Sequence, residues 1–185
     1  ITVYTPFKAH RIQANQTVGI LGLGGLGHLA LQFANAFGCQ TYAFSTSESK
    51  REEALRYGAV DLVGYGSSTF QKLAGHFDFL ISTVSADLDW SQILKLLAPE
   101  GTLILVGASP KPLNIQASML INGARKVAGS VIGNPMDISE MLAFCARSGV
   151  RPQIEVLPFA QVNQALDKVR QNQARYRMVL GWDVT

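Results

Sequence analysis

Residues 22–27 read Gly-Leu-Gly-Gly-Leu-Gly, and their flanks matter as much as the glycines. An apolar run, Val18-Gly19-Ile20-Leu21, leads in, and a helical pattern over residues 25–37 leads out. Strand, tight turn and helix form the setting in which Gly-x-Gly-x-x-Gly marks a dinucleotide-binding turn. Each glycine then has its own task. Gly22 permits the turn, Gly24 lets backbone approach a pyrophosphate, and Gly27 lets helix and strand pack closely. Gly22, Gly24, Gly25, Leu26 and Gly27 would offer phosphates the N–H groups of the turn, where the helix dipole also favours negative charge. The alternative is a glycine-rich turn that binds nothing.

The rest of the chain alternates strand and helix. Strands are expected over residues 18–21, 41–44, 61–63, 77–83, 102–106 and 126–131. Helices are expected over 50–57, 69–74 and 90–97, the last stopped by Pro99, and up to Arg147, capped by Asp137 or Ser139. Leu29, Ala30, Phe33, Ala34 and Phe37 recur at helical spacing, and Gly38 closes that helix. Such alternation predicts an α/β Rossmann fold, a doubly wound, parallel, six-stranded sheet with right-handed crossovers. Arg151-Pro152 breaks the pattern, after which a strand (154–157), a helix (162–170) and a strand (176–180) exceed the Rossmann count. The expected division is therefore residues 1–16 as a joining segment, 17–150 as the dinucleotide domain and 151–185 as a second terminal segment.

The 185 residues are 48% hydrophobic, enough for a globular core. A net charge of +3 is too small and too scattered to argue for nucleic acid. No apolar run reaches membrane-spanning length and no signal peptide is visible, so neither membrane nor secretion is expected. The two cysteines, Cys39 and Cys145, form no framework, which points to a reducing, cytoplasmic setting. The chain opens on Ile1 rather than Met, so it is expected to be an excerpt of a longer protein.

The end of the second strand chooses between NAD and NADP. An acid there would accept hydrogen bonds from the ribose 2′-OH and repel a 2′-phosphate. The residue at that place, Ser45, is neutral and opens Ser45-Thr46-Ser47-Glu48-Ser49-Lys50-Arg51. Three hydroxyls, with Lys50 or Arg51 for charge, suit a phosphate. Glu48 argues mildly the other way. Ordinary helix capping by Ser47 or Ser49, with Glu52 completing a box, would explain the serines but not the missing acid. NADP(H) is the cofactor expected.

Ile1-Thr2-Val3-Tyr4, residues 22–30, Ser45-Thr46-Ser47 and Ala174-Arg175-Tyr176-Arg177-Met178-Val179-Leu180 together resemble zinc-dependent medium-chain alcohol dehydrogenases. The nearest branch is the cinnamyl-alcohol-dehydrogenase-like one, with its NADPH-dependent aldehyde reductases. The resemblance implies that Ser45, Thr46, Ser47 and Lys50 hold the 2′-phosphate and that Thr2 touches the nicotinamide. It implies that Thr83 and Val84, Val106-Gly107-Ala108 and Ser130-Val131-Ile132 line the nicotinamide end. It also implies hydride transfer between NADP(H) and a small alcohol or aldehyde, zinc held in a catalytic domain outside this chain, residues 1–16 and 151–185 as segments that belong to that absent domain, and a homodimer. By that reading this piece carries no catalytic residue and is inactive alone.

The remaining candidates have plainer readings. Cys39 reads as packing at a helix-to-strand turn, Cys145 as core, His28 as a helix residue near the crevice and His76 as a surface loop residue. His10, His28 and His76 have no ligand spacing, so no metal site is expected in the chain. Two other functions stay open: a zinc-free quinone or enoyl reductase, and a non-catalytic nucleotide sensor. A methyltransferase-like reading is weaker, because that cofactor has no 2′-phosphate.

Overall fold

Six apolar runs become the strands of one parallel sheet in the computed structural model, which describes residues 1–182. The last three residues of the expected 151–185 segment lie outside the described residues. The strands are β1 (Thr17–Leu21), β2 (Gln40–Ser45), β3 (Ala59–Gly64), β4 (Phe77–Ser82), β5 (Leu97–Leu105) and β6 (Lys126–Gly129), in the order β3-β2-β1-β4-β5-β6. Both faces of a parallel sheet are covered by helices, which is why its strands are apolar along their length rather than at alternate positions. Val18, Ile20, Leu21, Phe44, Leu62, Leu80, Ile81, Leu103 and Ile104 are all fully buried. The order reverses between β1 and β4, and in an open α/β sheet a ligand crevice lies at that reversal, beyond the carboxyl ends of the strands.

The helices are α1 (Thr5–Ala9), α2 (Gly27–Ala36), α3 (Arg51–Arg56), α4 (Ser68–Lys72), α5 (Trp90–Lys95), α6 (Ala117–Ile121) and α7 (Pro135–Ser148). A short 3₁₀ turn, Glu48–Lys50, precedes α3. Neither α1 nor α6 was expected from the sequence; each has five residues, too few to show a helical period. No described helix is long and apolar enough to cross a membrane.

Several expectations are corrected. The expected 90–97 helix ends at Lys95 and β5 begins at Leu97, because the strand accommodates Pro99 in a bulge. Leu97 pairs with Phe77 and Thr102 with Phe79, so the residues between are looped out and proline's missing donor breaks no ladder bond. Helix α7 is capped by Asn134, not by Asp137 or Ser139. Asn134 Oδ1 accepts from the Met136 and Asp137 amides, and Asp137 Oδ2 accepts from the Asn134 amide, closing a capping box with Pro135 in the first turn. Cys145, on that helix, is half-buried rather than core. The serines before α3 make no side-chain cap: Ser47 precedes the 3₁₀ turn and Lys50 precedes α3, neither capping through its side chain.

The chain divides into two compact units, Ile1–Val150 and Arg151 onward. Residues 1–16 lie within the first unit. Tyr4 packs on Phe33 and Phe144, Phe7 stacks on Phe37, and Phe37 stacks on Phe144 at 4.8 Å between ring centres. Lys8 Nζ bonds Asp137 and Glu140 of α7, and the Tyr4 hydroxyl donates to Glu140. In the second unit, β7 (Ile154–Pro158) and β8 (Arg177–Gly181) pair in parallel, with α8 (Val162–Arg170) between them in sequence. That matches the expected strand, helix and strand to within a residue.

Candidate dinucleotide crevice

The glycine turn leaves β1 at the reversal of strand order, and it is held from every side. Gly22 has a left-handed φ of +91°, and its amide donates to the Phe44 carbonyl of β2 at 2.9 Å. A Cβ there would also collide with the Val84 side chain. A Cβ on Gly27 would strike the Gly22 carbonyl, so these two glycines are demanded by the protein itself. Gly24 differs: a Cβ there would meet nothing within 4 Å. Neither packing nor backbone conformation asks for glycine at position 24, whereas an anion laid against the backbone would. The amides of Leu26 and Gly27 donate to no carbonyl among the described residues.

Three side chains that the sequence did not mark as braces fix this turn. Thr83 Oγ1 lies 3.0 and 3.1 Å from the Leu21 and Gly22 carbonyls. His28, on α2 by the crevice as expected, is fully buried, with Nδ1 3.0 Å from the Gly24 carbonyl. Lys50 reaches back from the 3₁₀ turn to donate to the Leu23 carbonyl at 2.7 Å. A threonine, a histidine and a lysine bound to main-chain carbonyls leave no periodic trace, so no pattern could have revealed them.

At the end of β2, Ser45 is buried and its Oγ accepts from the Ser47 amide at 3.1 Å. Ser47 Oγ and Ser49 Oγ are 2.8 Å apart, and Thr46 is exposed. The two cations offered by the sequence are separated. Lys50 stays by the glycine turn, whereas Arg51 is bonded to Glu48, Asp61 and the Leu62 carbonyl. Arg51 is therefore removed as a source of charge for the crevice. Between the ends of β3 and β4 lies an open groove of about 520 Å³ walled by Tyr65, Gly66, Leu88 and Asp89 among others. The Tyr65 hydroxyl is buried there without a hydrogen-bond partner among the described residues. Burial pushes its pKa well above the usual range, while the facing Gly22 amide pulls weakly the other way.

Of the loops expected at the far end, the one after β5 bonds to β4 and the one after β6 bonds to β5. The Val106 and Gly107 amides donate to the Ser82 carbonyl at 3.0 Å, and a Cβ on Gly107 would strike the Val84 carbonyl. Ala108 is exposed. The Ser130 amide donates to the Leu105 carbonyl, while Val131 and Ile132 project into solvent beyond β6. The Ile1 side chain lies 3.1 Å from where a Cβ on Gly133 would stand, and Thr2, next to it in sequence, is half-buried. Cys39 is buried, and burial pushes its thiol up to about 11, with Asp78 adding to the rise. It remains a protonated packing residue at neutral pH. His76 is exposed. Among the described residues no group of three or more His, Cys, Asp or Glu is placed to hold a metal ion.

Residues 25–147 match the family model described as zinc-binding dehydrogenase. The chain is 40% identical over 181 residues to the NADP-dependent alcohol dehydrogenase C of Mycobacterium bovis, covering 97% of this chain and 52% of that protein. Among solved structures, a cinnamyl alcohol dehydrogenase from Sorghum bicolor superposes with a TM-score of 0.92 at 38% identity, over 97% of this chain and 52% of that one. The cinnamyl alcohol dehydrogenase of Helicobacter pylori, solved with NADP(H), gives 0.86 at 31%, again over 97% and 52%. This chain spans about half the length of the relatives it matches. With its strand order, glycine turn and serine loop, the chain belongs to the zinc-dependent medium-chain alcohol dehydrogenases, in their cinnamyl-alcohol-dehydrogenase-like branch.

Proposed function

We propose that this chain is the NADP(H)-holding half of an oxidoreductase that interconverts alcohols and aldehydes by hydride transfer. The observation that carries the reading is the end of β2, where a neutral Ser45 stands with Ser47 beside it and Lys50 is held at 2.7 Å from the glycine turn. An acid at Ser45 would favour NADH; hydroxyls and an ammonium favour a phosphate. When bound, the cofactor supplies the hydride chemistry, and the protein orients it. Gly22, Gly24, Gly25, Leu26 and Gly27 receive the pyrophosphate, and Ser45, Thr46, Ser47 and Lys50 the 2′-phosphate. Thr2, Thr83, Val84, Val106, Gly107, Ala108, Ser130, Val131 and Ile132 border the nicotinamide. Zinc, which the family uses as a Lewis acid, finds no ligand set among the described residues, so its ligands are assigned to the half of the relatives' length that this chain does not span.

The surface we propose for a partner is the outer edge of β6, which among the described residues pairs with β5 alone. Just past it in sequence, Val131 and Ile132 are 79% and 66% exposed. An open sheet edge flanked by apolar side chains suits pairing with a second copy across a two-fold axis. Titration of the full-length protein with NADPH and NADH, followed by nicotinamide fluorescence, tests the cofactor. NADPH is expected to bind at least tenfold more tightly; equal or tighter binding of NADH overturns the reading.

A further inference from the structure

Glu48 is the single carboxylate in residues 45–51, at the centre of the loop assigned to a phosphate. A carboxylate so close to a bound dianion should oppose it. Its charge is held elsewhere. Arg51 Nε and Nη2 donate to Glu48 Oε2 at 3.3 and 3.1 Å. The same guanidinium donates through Nη1 to Asp61 and through Nη2 to the Leu62 carbonyl at 2.9 Å, so it is anchored on β3. Glu48 Oε1 lies 3.3 Å from where a Cβ on Gly64 would stand, placing the carboxylate over the end of that strand. Lys50, the adjacent cation, reaches the glycine turn instead. Two neighbouring cations thus have separate tasks, one toward the crevice and one on the acid.

We propose that Arg51 is a specificity-determining positioning residue that acts through Glu48: by holding that carboxylate over β3 it keeps the serine loop open to a cofactor bearing a 2′-phosphate. The inference rests on the NADP(H) reading above. In this role Arg51 acts through its bonds to Glu48, Asp61 and the Leu62 carbonyl and needs no contact with the cofactor. The Glu48 and Arg51 side chains are 65% and 45% exposed, so their bond adds little to the stability of the fold. Its consequence lies in where the negative charge sits. Glu48 is bonded in sequence to Ser47 and Ser49, whose hydroxyls are 2.8 Å apart. Released from Arg51, its carboxylate samples the neighbourhood of the phosphate. In partly screened surroundings that repulsion amounts to about threefold to tenfold in affinity.

The test is a set of dissociation constants for NADPH and NADH on the full-length protein. The variants are Arg51→Gln, Glu48→Gln, the double variant, and Asp61→Asn, which takes one carboxylate from Arg51 but leaves its bonds to Glu48 and to the Leu62 carbonyl of β3. Arg51→Gln is expected to weaken NADPH about threefold to tenfold while NADH stays within twofold. Adding Glu48→Gln is expected to restore NADPH to within twofold of wild type, and Asp61→Asn to leave both cofactors within twofold. A double variant as weak as Arg51→Gln overturns the proposal, because Arg51 would then act on the phosphate directly. Equal losses for both cofactors, or an Asp61→Asn effect matching that of Arg51→Gln, overturn it in favour of a purely structural role. If the wild-type protein prefers NADH, the cofactor reading itself falls, which the unmodified protein reveals before any variant is made.

Discussion

Three glycines of one motif have three different physical reasons, and substitution separates them. Gly27→Ala drives a methyl into the Gly22 carbonyl and should cost about 1–3 kcal/mol, a fall of about 2–12 °C in melting temperature. Gly24→Ala meets open space, so thermal melting should be unchanged within about 1 °C while NADPH binding weakens at least tenfold. Equal losses of stability in both variants would contradict the assignment of Gly24 to a ligand. Ser45→Asp puts a carboxylate at the end of β2, where Ser45 Oγ already accepts from the Ser47 amide. The ratio of NADPH to NADH affinity should then fall about tenfold to a hundredfold, the scale of a hydrogen bond to a charged group gained or lost. Paired titrations of wild type and variant read this directly. The glycines and Ser45 were legible because the motif fixes their place in the chain. Thr83, His28 and Lys50 were named from the sequence, but their bonds to the turn were not legible, since each is made to a main-chain carbonyl far away in sequence or on a neighbouring turn.

Among the elements, those with a long apolar run or a clear period were read from sequence to within a residue or two, and the exceptions have local causes. Pro99 reads as a helix stop but sits in a bulge of β5. The cap of α7 was within reach, because Asn134-Pro135 followed by Asp137 is itself a helix-start pattern. In the second unit, Glu155 on β7 accepts from Lys168 Nζ of α8 at 2.7 Å and from the Arg175 amide at 2.6 Å. The Lys168 bond first, then the Arg175 amide, hold its carboxyl below the usual 4.5. A depressed folded-state pKa contributes stability above the unfolded value, and that stability is lost as pH falls through the lower folded value. The unit should therefore loosen below about pH 4.5. The stacked Phe159 and Trp182 rings report on it, read as near-ultraviolet dichroism with Trp90 replaced by Phe. Glu155→Gln should abolish this acid step; an identical acid midpoint in both proteins would exclude Glu155 as its origin.

At the scale of the whole molecule, the chain is one part of a longer family pattern. On the proposed function, treating the full-length protein with a zinc chelator should lower turnover more than a hundredfold while NADPH affinity changes less than threefold. Chelation without loss of turnover would point to the zinc-free reductases instead. Composition, hydrophobic period and the glycine motif determined the alternation of strand and helix, the parallel sheet and the position of the turn, because those depend on neighbours in sequence. Tertiary structure alone decided that residues 1–16 pack into the first unit, through Tyr4 and Phe7 on rings more than 25 residues away. It alone decided that Lys50 turns to the glycine loop while Arg51 turns to Glu48 and β3. Adjacent cations are alike in sequence; which carbonyl or carboxylate lies within reach of each is settled only when β1, β2 and β3 stand side by side.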